Sequence, residues 1–221
     1  MDLNKVSNAR NSSRIRISWP ALFVKAYALV ARDFPELRQT WYCWPWAHLY
    51  QHPQSVATLT VHREVSGQPW LFWGQIRNPE SLTLTEIQQS IDRFRTDEVT
   101  QVFQRQWRLA HLPTLLRRMI WWWNLNVETK KRATRLGTFF LSTLAGRGTE
   151  IQLPPSIQTG CLTYGPMDSN GRSRVTLAYD HRIMDGAMVA DILQQMELVL
   201  NTDLVAELQS MNRVEVAEKS A

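Results

Sequence analysis

Apolar residues recur at helical spacing in some stretches of the chain and at alternate positions in others. Within residues 20–41, Leu22, Ala26, Leu29 and Val30 follow a helical course. Pro20 suits the first turn, and Pro35 ends the helix by Phe34. Ser55 to Val65 alternates instead, with Ala57, Leu59 and Val61 on one side and Thr58, Thr60 and His62 on the other. Ser66-Gly67-Gln68 turns this strand into a second, Pro69 to Ile76. Residues 82–104 read as a helix with Leu84, Ile87, Ile91 and Phe94 on one face. Thr138 to Leu144, Ser156 to Gly165 and Arg172 to His181 are strand candidates, the last two joined by a loop containing Asn170-Gly171. Helical spacing returns at Val189, Ile192, Leu193, Met196 and Leu200. The pattern is a mixed α/β one, without the regular alternation of a doubly wound sheet.

Composition adds a boundary to this picture. A chain of 221 residues, 44% hydrophobic and 20% charged, has enough apolar material for a core, and neither repeat nor linker divides it. It reads as one domain, 1–221, with 209–221 expected to be a disordered tail. Cys43 and Cys161 stand in unrelated contexts, so no disulfide framework and no metal site is expected. No apolar run approaches the roughly 20 residues that a membrane span needs, and the first residues lack a secretory pattern. A cytoplasmic location is expected, with or without attachment to a membrane surface.

Charge changes the picture locally. The formal charge is +5, but residues 105–135 hold eight Lys or Arg against Glu128 alone, leaving the remainder slightly acidic. Such concentration points to a local anionic partner. Trp107 and the run Trp121, Trp122, Trp123 lie in the same segment. A helix from Leu112 offers Leu112, Leu116, Ile120 and Trp123 to the core, but three successive residues sweep about 200° at 3.6 residues per turn. At least one ring must therefore be exposed. Peripheral membrane or lipid contact through residues 105–135 fits rings beside cations, and burial of the rings in a subunit interface fits equally. Nucleic acid is not expected, since no binding-module pattern accompanies the patch. His48, His52 and His62 match no metal pattern and read as surface or sheet histidines, and Trp41, Trp44 and Trp46 form an aromatic cluster for a core or an interface.

The stretch Tyr179-Asp180-His181-Arg182-Ile183-Met184-Asp185-Gly186-Ala187 joins a base, a carboxylate and a glycine where a strand gives way to a helix. Alternation through Val175, Leu177 and Tyr179 puts His181 on the apolar face, where a shielded neutral imidazole could accept a proton. Asp185 can fix the loop through an Arg or backbone donors, and Gly186 allows a backbone shape that other residues resist. The alternative is a core histidine held by backbone and an aspartate capping the last helix.

The whole string DHRIMDGA resembles the H-x-x-x-D-G signature of the catalytic domain of 2-oxo acid dehydrogenase acyltransferases, the dihydrolipoamide acyltransferases; chloramphenicol acetyltransferase shares that signature and fold. SWPALFVKAYALVARDFPELRQTW is similar to the family's first catalytic helix, and GTFFLSTLAG to its strand G-T-F-T-[IL]-S-N-L-G. The three motifs occur in the family's order. The resemblance implies a chloramphenicol-acetyltransferase-like α/β fold, a two-layer arrangement of mixed sheet and covering helices. It implies acyl transfer from a thioester, coenzyme A or a carrier protein, to a thiol, hydroxyl or amine, with no permanently bound cofactor. It places the general base at His181, the loop-fixing carboxylate at Asp185 and the oxyanion-stabilising hydroxyl at Ser142, with Thr138, Thr143 and Gly186 expected to line the substrate. It further implies a homotrimer in which His181 of one subunit faces Ser142 of its neighbour. The chain is expected to depart from the family in four ways. No lipoyl region is read before the domain, the strand before the first helix is short or missing, Thr143 and Ala145 replace the family's Asn and Gly, and the basic, tryptophan-rich segment HLPTLLRRMIWWWNLNVETKKRATR has no counterpart in lipoyl-using enzymes. The alternatives are a core subunit of a 2-oxo acid dehydrogenase complex served by lipoyl domains on another chain, and a non-catalytic trimeric scaffold or membrane-associated protein.

Overall fold

The structure is a computed structural model that describes residues 1–218, with side chains described as far as Met211. Its centre is a mixed five-stranded sheet. Strands β3 (Val56–Val65) and β4 (Gln68–Arg77) form the antiparallel hairpin that the alternation predicts, turning at Ser66-Gly67. Strand β5 (Phe139–Ser142) runs parallel to β3 on its other side, and β6 (Gly160–Met167) runs parallel to β5. Strand β7 (Ser173–Tyr179) closes the sheet antiparallel to β6, giving the order β4-β3-β5-β6-β7. A parallel β3–β5 pair needs a long crossover, and residues 78–138 supply it.

One face of the sheet carries the main core. Helix α2 (Trp19–Asp33) lies on it, stacking Phe23 on Tyr164 at 4.3 Å and Tyr27 on Phe139 at 3.9 Å. Helices α8 (Gly186–Asn201) and α3 (Leu84–Thr96) flank α2, burying Ile192 and Met196 from one and Leu84 and Ile87 from the other. A capping box, Thr83 with Glu86, starts α3. The buried Lys25 of α2 donates to the carbonyls of Glu80 and Leu82 and so ties α2 to the loop before α3.

Two elements escape the apolar pattern. Helix α1 (Asn4–Ser12) is polar and buries only Val6 and Ala9, and among the described residues no strand precedes α2 beyond a single bridge, Asp2 to Arg172. The hairpin β1 (Gln39–Tyr42) and β2 (His48–Gln51) forms a separate two-stranded sheet around the tryptophan cluster. The last helix, α9 (Asp203–Glu218), makes the expected tail helical as far as Glu218, and residues 219–221 lie outside the described ones.

The crossover departs most from expectation. The helix expected over 82–104 stops at Thr96, where Arg63 of β3 donates to the carbonyls of Phe94 and Asp97. Short helices α4 (Val99–Val102) and α5 (Gln104–Ala110) follow. The Gln106 side chain pairs with both backbone groups of Trp73, at 2.9 and 2.7 Å, and so satisfies part of the free edge of β4. Helix α6 (Thr114–Asn126) then crosses to the second face, where Trp121 meets Trp73 edge-on at 5.6 Å, and α7 (Thr129–Leu136) leads into β5. Of the four residues expected to bury, Leu116 and Trp123 are exposed and Leu112 and Ile120 only half-buried. The face points away from the main core because that core is already closed by α2, α3 and α8, so Asn124 is the one fully buried residue of α6.

Candidate active site

The candidate residues fall at two ends of the sheet. At one end β5 stops at Ser142, which is half-buried, with its hydroxyl 3.3 Å from that of Thr60 on β3. The parallel register, Leu59 beside Leu141, brings these two strands together across 82 residues of sequence. Thr60 was visible as a strand residue, but pairing with β5 is not a local property, so its place beside Ser142 was not.

The residues around Ser142 are built into the backbone. Gly137 has φ +89°, and a Cβ there would stand 2.1 Å from Thr58 Oγ1, so the strand entry demands glycine. Thr138, expected to line the substrate, is instead buried: its hydroxyl accepts from Val56 N at 2.9 Å and donates to Val56 O at 3.3 Å. Thr143 is likewise occupied, donating to Tyr164 O at 2.9 Å and accepting from Ala145 N at 3.0 Å. It leads the chain into a 3-10 turn, Ala145–Arg147. Substrate contact through either hydroxyl does not fit these bonds.

At the other end β7 stops at Tyr179, two residues earlier than expected, and the alternation that would have buried His181 is lost. His181 is exposed in the chain, its ring 5.7 Å from that of Tyr179. The shielding read from the sequence is therefore absent in a single subunit. The turn itself is firm. Asp180 accepts from the Arg182 backbone N–H at 3.1 Å and from its guanidinium at 2.9 and 2.5 Å. These hydrogen bonds hold its carboxyl below the usual range despite partial desolvation. The Arg182 guanidinium also lies over the Trp41 ring at 5.7 Å, fastening the turn to β1.

Asp185 is the N-cap of α8, accepting from Met188 N at 2.8 Å. It thus fixes the loop through a backbone donor, as the capping alternative held. Gly186 is the first residue of α8, and a Cβ there would meet only Tyr179 Oη, at 3.7 Å. Its expected special backbone shape is not present.

The register settles what one chain can assemble. Ser142 pairs with Thr163, and Thr163 with Thr176, so Ser142 and Thr176 stand two strands apart. His181 is five residues further along, toward the end of the sheet where β5 begins. At ~3.3 Å per residue and ~4.8 Å between strands the separation is on the order of 15–20 Å. Hence His181 and Ser142 of one chain do not act on the same atom.

Other chemistry is sparse. Among the described residues no group of three or more His, Cys, Asp or Glu could hold a metal ion. His52, read as a surface or sheet histidine, is buried beside Arg132, and desolvation pushes its pKa down to about 4. Burial also raises the Cys161 thiol to about 12, leaving it protonated and inert. No helix among the described residues is long and apolar enough to cross a membrane.

Solved structures share this architecture. A probable dihydrolipoamide acetyltransferase from Listeria monocytogenes superposes with a TM-score of 0.58 at 17% identity, over 95% of this chain and 81% of that one. Dihydrolipoamide acetyltransferase from Azotobacter vinelandii gives 0.63 at 15% identity, over 94% and 80%. A chloramphenicol acetyltransferase gives 0.54 at 13% identity, over 90% and 84%. No protein-family model matches the chain, and no curated protein matches it by sequence. The matched structures are those of the family that the three sequence motifs resemble, and the chain has the α/β fold of dihydrolipoamide acetyltransferase catalytic cores and of chloramphenicol acetyltransferase.

Proposed function

We propose that the protein is an acyltransferase that moves an acyl group from a thioester, of coenzyme A or a carrier protein, to a thiol, hydroxyl or amine. The observation that carries this reading is the pair of open positions at opposite ends of the sheet, His181 on a rigid turn and Ser142 at the end of β5, in a fold shared with acyltransferases. The Azotobacter work concerns a serine, a histidine and an asparagine four residues beyond it in that enzyme's mechanism, the spacing of His181 and Asp185 here.

In the proposed reaction the His181 imidazole takes the proton of the acceptor as its S, O or N atom bonds to the thioester carbonyl carbon. Charge develops on the carbonyl oxygen, and the Ser142 hydroxyl donates to it. Thr60 Oγ1 is 3.3 Å from Ser142 Oγ; with the Ser142 proton given to the oxyanion, Thr60 is the donor of this pair and aims the serine hydroxyl as a positioning residue. The intermediate collapses by breaking the C–S bond, and the departing thiolate takes the proton from the imidazolium. No acyl-enzyme forms.

Because one chain keeps the two groups apart, the site is completed between copies, and a homotrimer is the proposed assembly. The test is thiol release from acyl-coenzyme A donors of graded chain length. Wild-type protein releases thiol, His181→Ala loses at least about 100-fold and Ser142→Ala about 10²- to 10³-fold. Mixing the two inactive proteins before assembly restores about a quarter of the sites, since each needs His181 from one parent and Ser142 from the other. Full activity in folded His181→Ala would sink the mechanism. A second reading, a core subunit served by lipoyl domains in trans, is favoured by the identity of the two acetyltransferases; transfer to a lipoyl domain but not to small thiols would select it. We also propose that the exposed Trp122 and Trp123, near Arg118, rest on an anionic membrane surface. Co-sedimentation with phosphatidylglycerol vesicles that is unchanged in Trp122→Ser/Trp123→Ser would refute that contact.

A further inference from the structure

Two cavities open beneath α6, of about 340 and 580 Å³, and both are lined by Arg105, Leu109, Ile120, Asn124 and Arg135. Together they form one cleft of a size that takes small molecules. Neither His181 nor Ser142 is part of its lining, although Trp73 in that lining is the cross-strand partner of Thr60, beside Ser142. The apolar part of the walls includes Phe94, Phe103 and Trp121 in one cavity and Leu116, Met119 and Trp123 in the other.

The polar part of the lining is of one sign. Arg77, Arg105, Arg108 and Arg135 reach it, and among the described residues no carboxylate lines either cavity. Arg135 is held in place by donating to the buried Asn124 Oδ1, and its nearest acid, Glu128, is 3.9 Å away. Partial burial disfavours the charged form of Arg105, and the neighbouring Arg135 charge adds to this. Gln75, also in the lining, has a buried amide nitrogen with no hydrogen-bond partner among the described residues. Guanidinium groups beside an apolar cleft that no carboxylate lines, with Arg135 alone in loose ion-pair range of an acid, Glu128, are complementary to a small anion carrying a hydrocarbon tail.

We infer that this cleft is a binding site for a single-tail anionic amphiphile, a fatty carboxylate or an alkyl phosphate. Its head is held by Arg105 and Arg135, and its tail lies along Leu109, Ile120 and Trp121. The site does not include His181 or Ser142, and it shares Trp123 but not Trp122 with the vesicle contact, so Trp122→Ser alone tests that contact independently.

The test is calorimetric titration of the full chain with dodecanoate, dodecyl phosphate, dodecanol and inorganic phosphate, each below its micelle concentration. One equivalent of dodecanoate or dodecyl phosphate binds saturably, and the stronger of the two identifies the head. Dodecanol and inorganic phosphate bind at least about tenfold more weakly, since each lacks half of the complementarity. Arg105→Gln/Arg108→Gln, which alters exposed side chains, weakens the anionic amphiphile about tenfold or more, and Leu109→Trp fills the cleft and abolishes binding. Thiol release by both variants stays at the wild-type level and reports that they are folded. Absence of saturable binding by either anion, equal binding of dodecanol, or unchanged affinity in both variants overturns the inference.

Discussion

Helices α2 and α6 have similar lengths and similar shares of large apolar residues, yet α2 buries ten of its fifteen residues and α6 one of thirteen. The difference lies in what covers them. Helix α2 lies between the sheet and α3 and α8, and its alanines let Phe23 and Tyr27 reach the rings of Tyr164 and Phe139. Helix α6 meets the second face chiefly through Trp121 and leaves Leu115, Met119, Trp122 and Trp123 more than half exposed. A large apolar side chain is worth ~1.5–3 kcal/mol when buried, so α6 holds substantial stabilisation that a single chain leaves unused. Apolar surface of that kind, beside arginines, is what the proposed contacts of α6 with lipid or a second copy would cover.

The sharpest way to break the comparison is on the covered side. Phe139→Ala removes a fully buried ring from the stack with Tyr27 and should cost about 3–5 kcal/mol, read as a lower denaturant midpoint at unchanged slope. If the cost were under about 1 kcal/mol, the tight core assigned to α2 and β5 would be wrong.

A smaller effect tests the border between the two regions, where His52 is buried against Arg132 of α7 and its Nε2 lies 3.3 Å from Thr40 Oγ1. Burial disfavours its charged form, lowering the pKa from an ordinary 6.5 to about 4. Above pH 6.5 the residue is neutral folded or unfolded and contributes no pH dependence. As pH falls from 6.5 to 4 the unfolded chain takes up a proton that the folded one refuses, so stability is lost, by up to about 3 kcal/mol. Denaturant titrations at several pH values should show a shallower loss for His52→Gln over that window. Equal slopes would place His52 in contact with solvent.

The same contrast explains what the sequence disclosed. The main core was readable because α2, α8 and the β3–β4 hairpin show one face to it and their periods survive in the residues. Helix α1 left no such mark, since only Val6 and Ala9 are buried, and the β1–β2 hairpin pairs only with itself around Pro45. In the crossover, apolar spacing promised Leu116 and Trp123 a core that α2, α3 and α8 had already closed. At the candidate site Ser142, Asp185 and His181 were placed by motif, and Asp185 by its capping chemistry as well. The environment of each was not legible. His181 lost its shielding because β7 ended early, and Thr60 reached Ser142 through a strand pairing that no local window contains. The backbone bonds of the Thr138 and Thr143 hydroxyls were not legible, because a hydroxyl committed to the backbone looks no different in sequence from a free one.

The smallest expected effect sharpens the comparison most. Leu115 and Met119 are 75% and 61% exposed on α6, so Leu115→Ser/Met119→Ser removes apolar groups that the folded chain leaves mostly uncovered. Serine is a poorer helix former by a few tenths of a kcal/mol at each position, and nothing larger opposes the change. The unfolding free energy of the monomeric chain should therefore change by less than about 1 kcal/mol, against several for Phe139→Ala. If the pair instead costs as much as a core substitution under conditions where the protein is assembled, and little once it is diluted to monomer, then a second copy covers α6. A small effect in both states, with loss of vesicle binding, leaves the covering to lipid. The apolar content of α6 then serves contact rather than folding, and its single buried residue, Asn124, is what positions Arg135 over the cleft below.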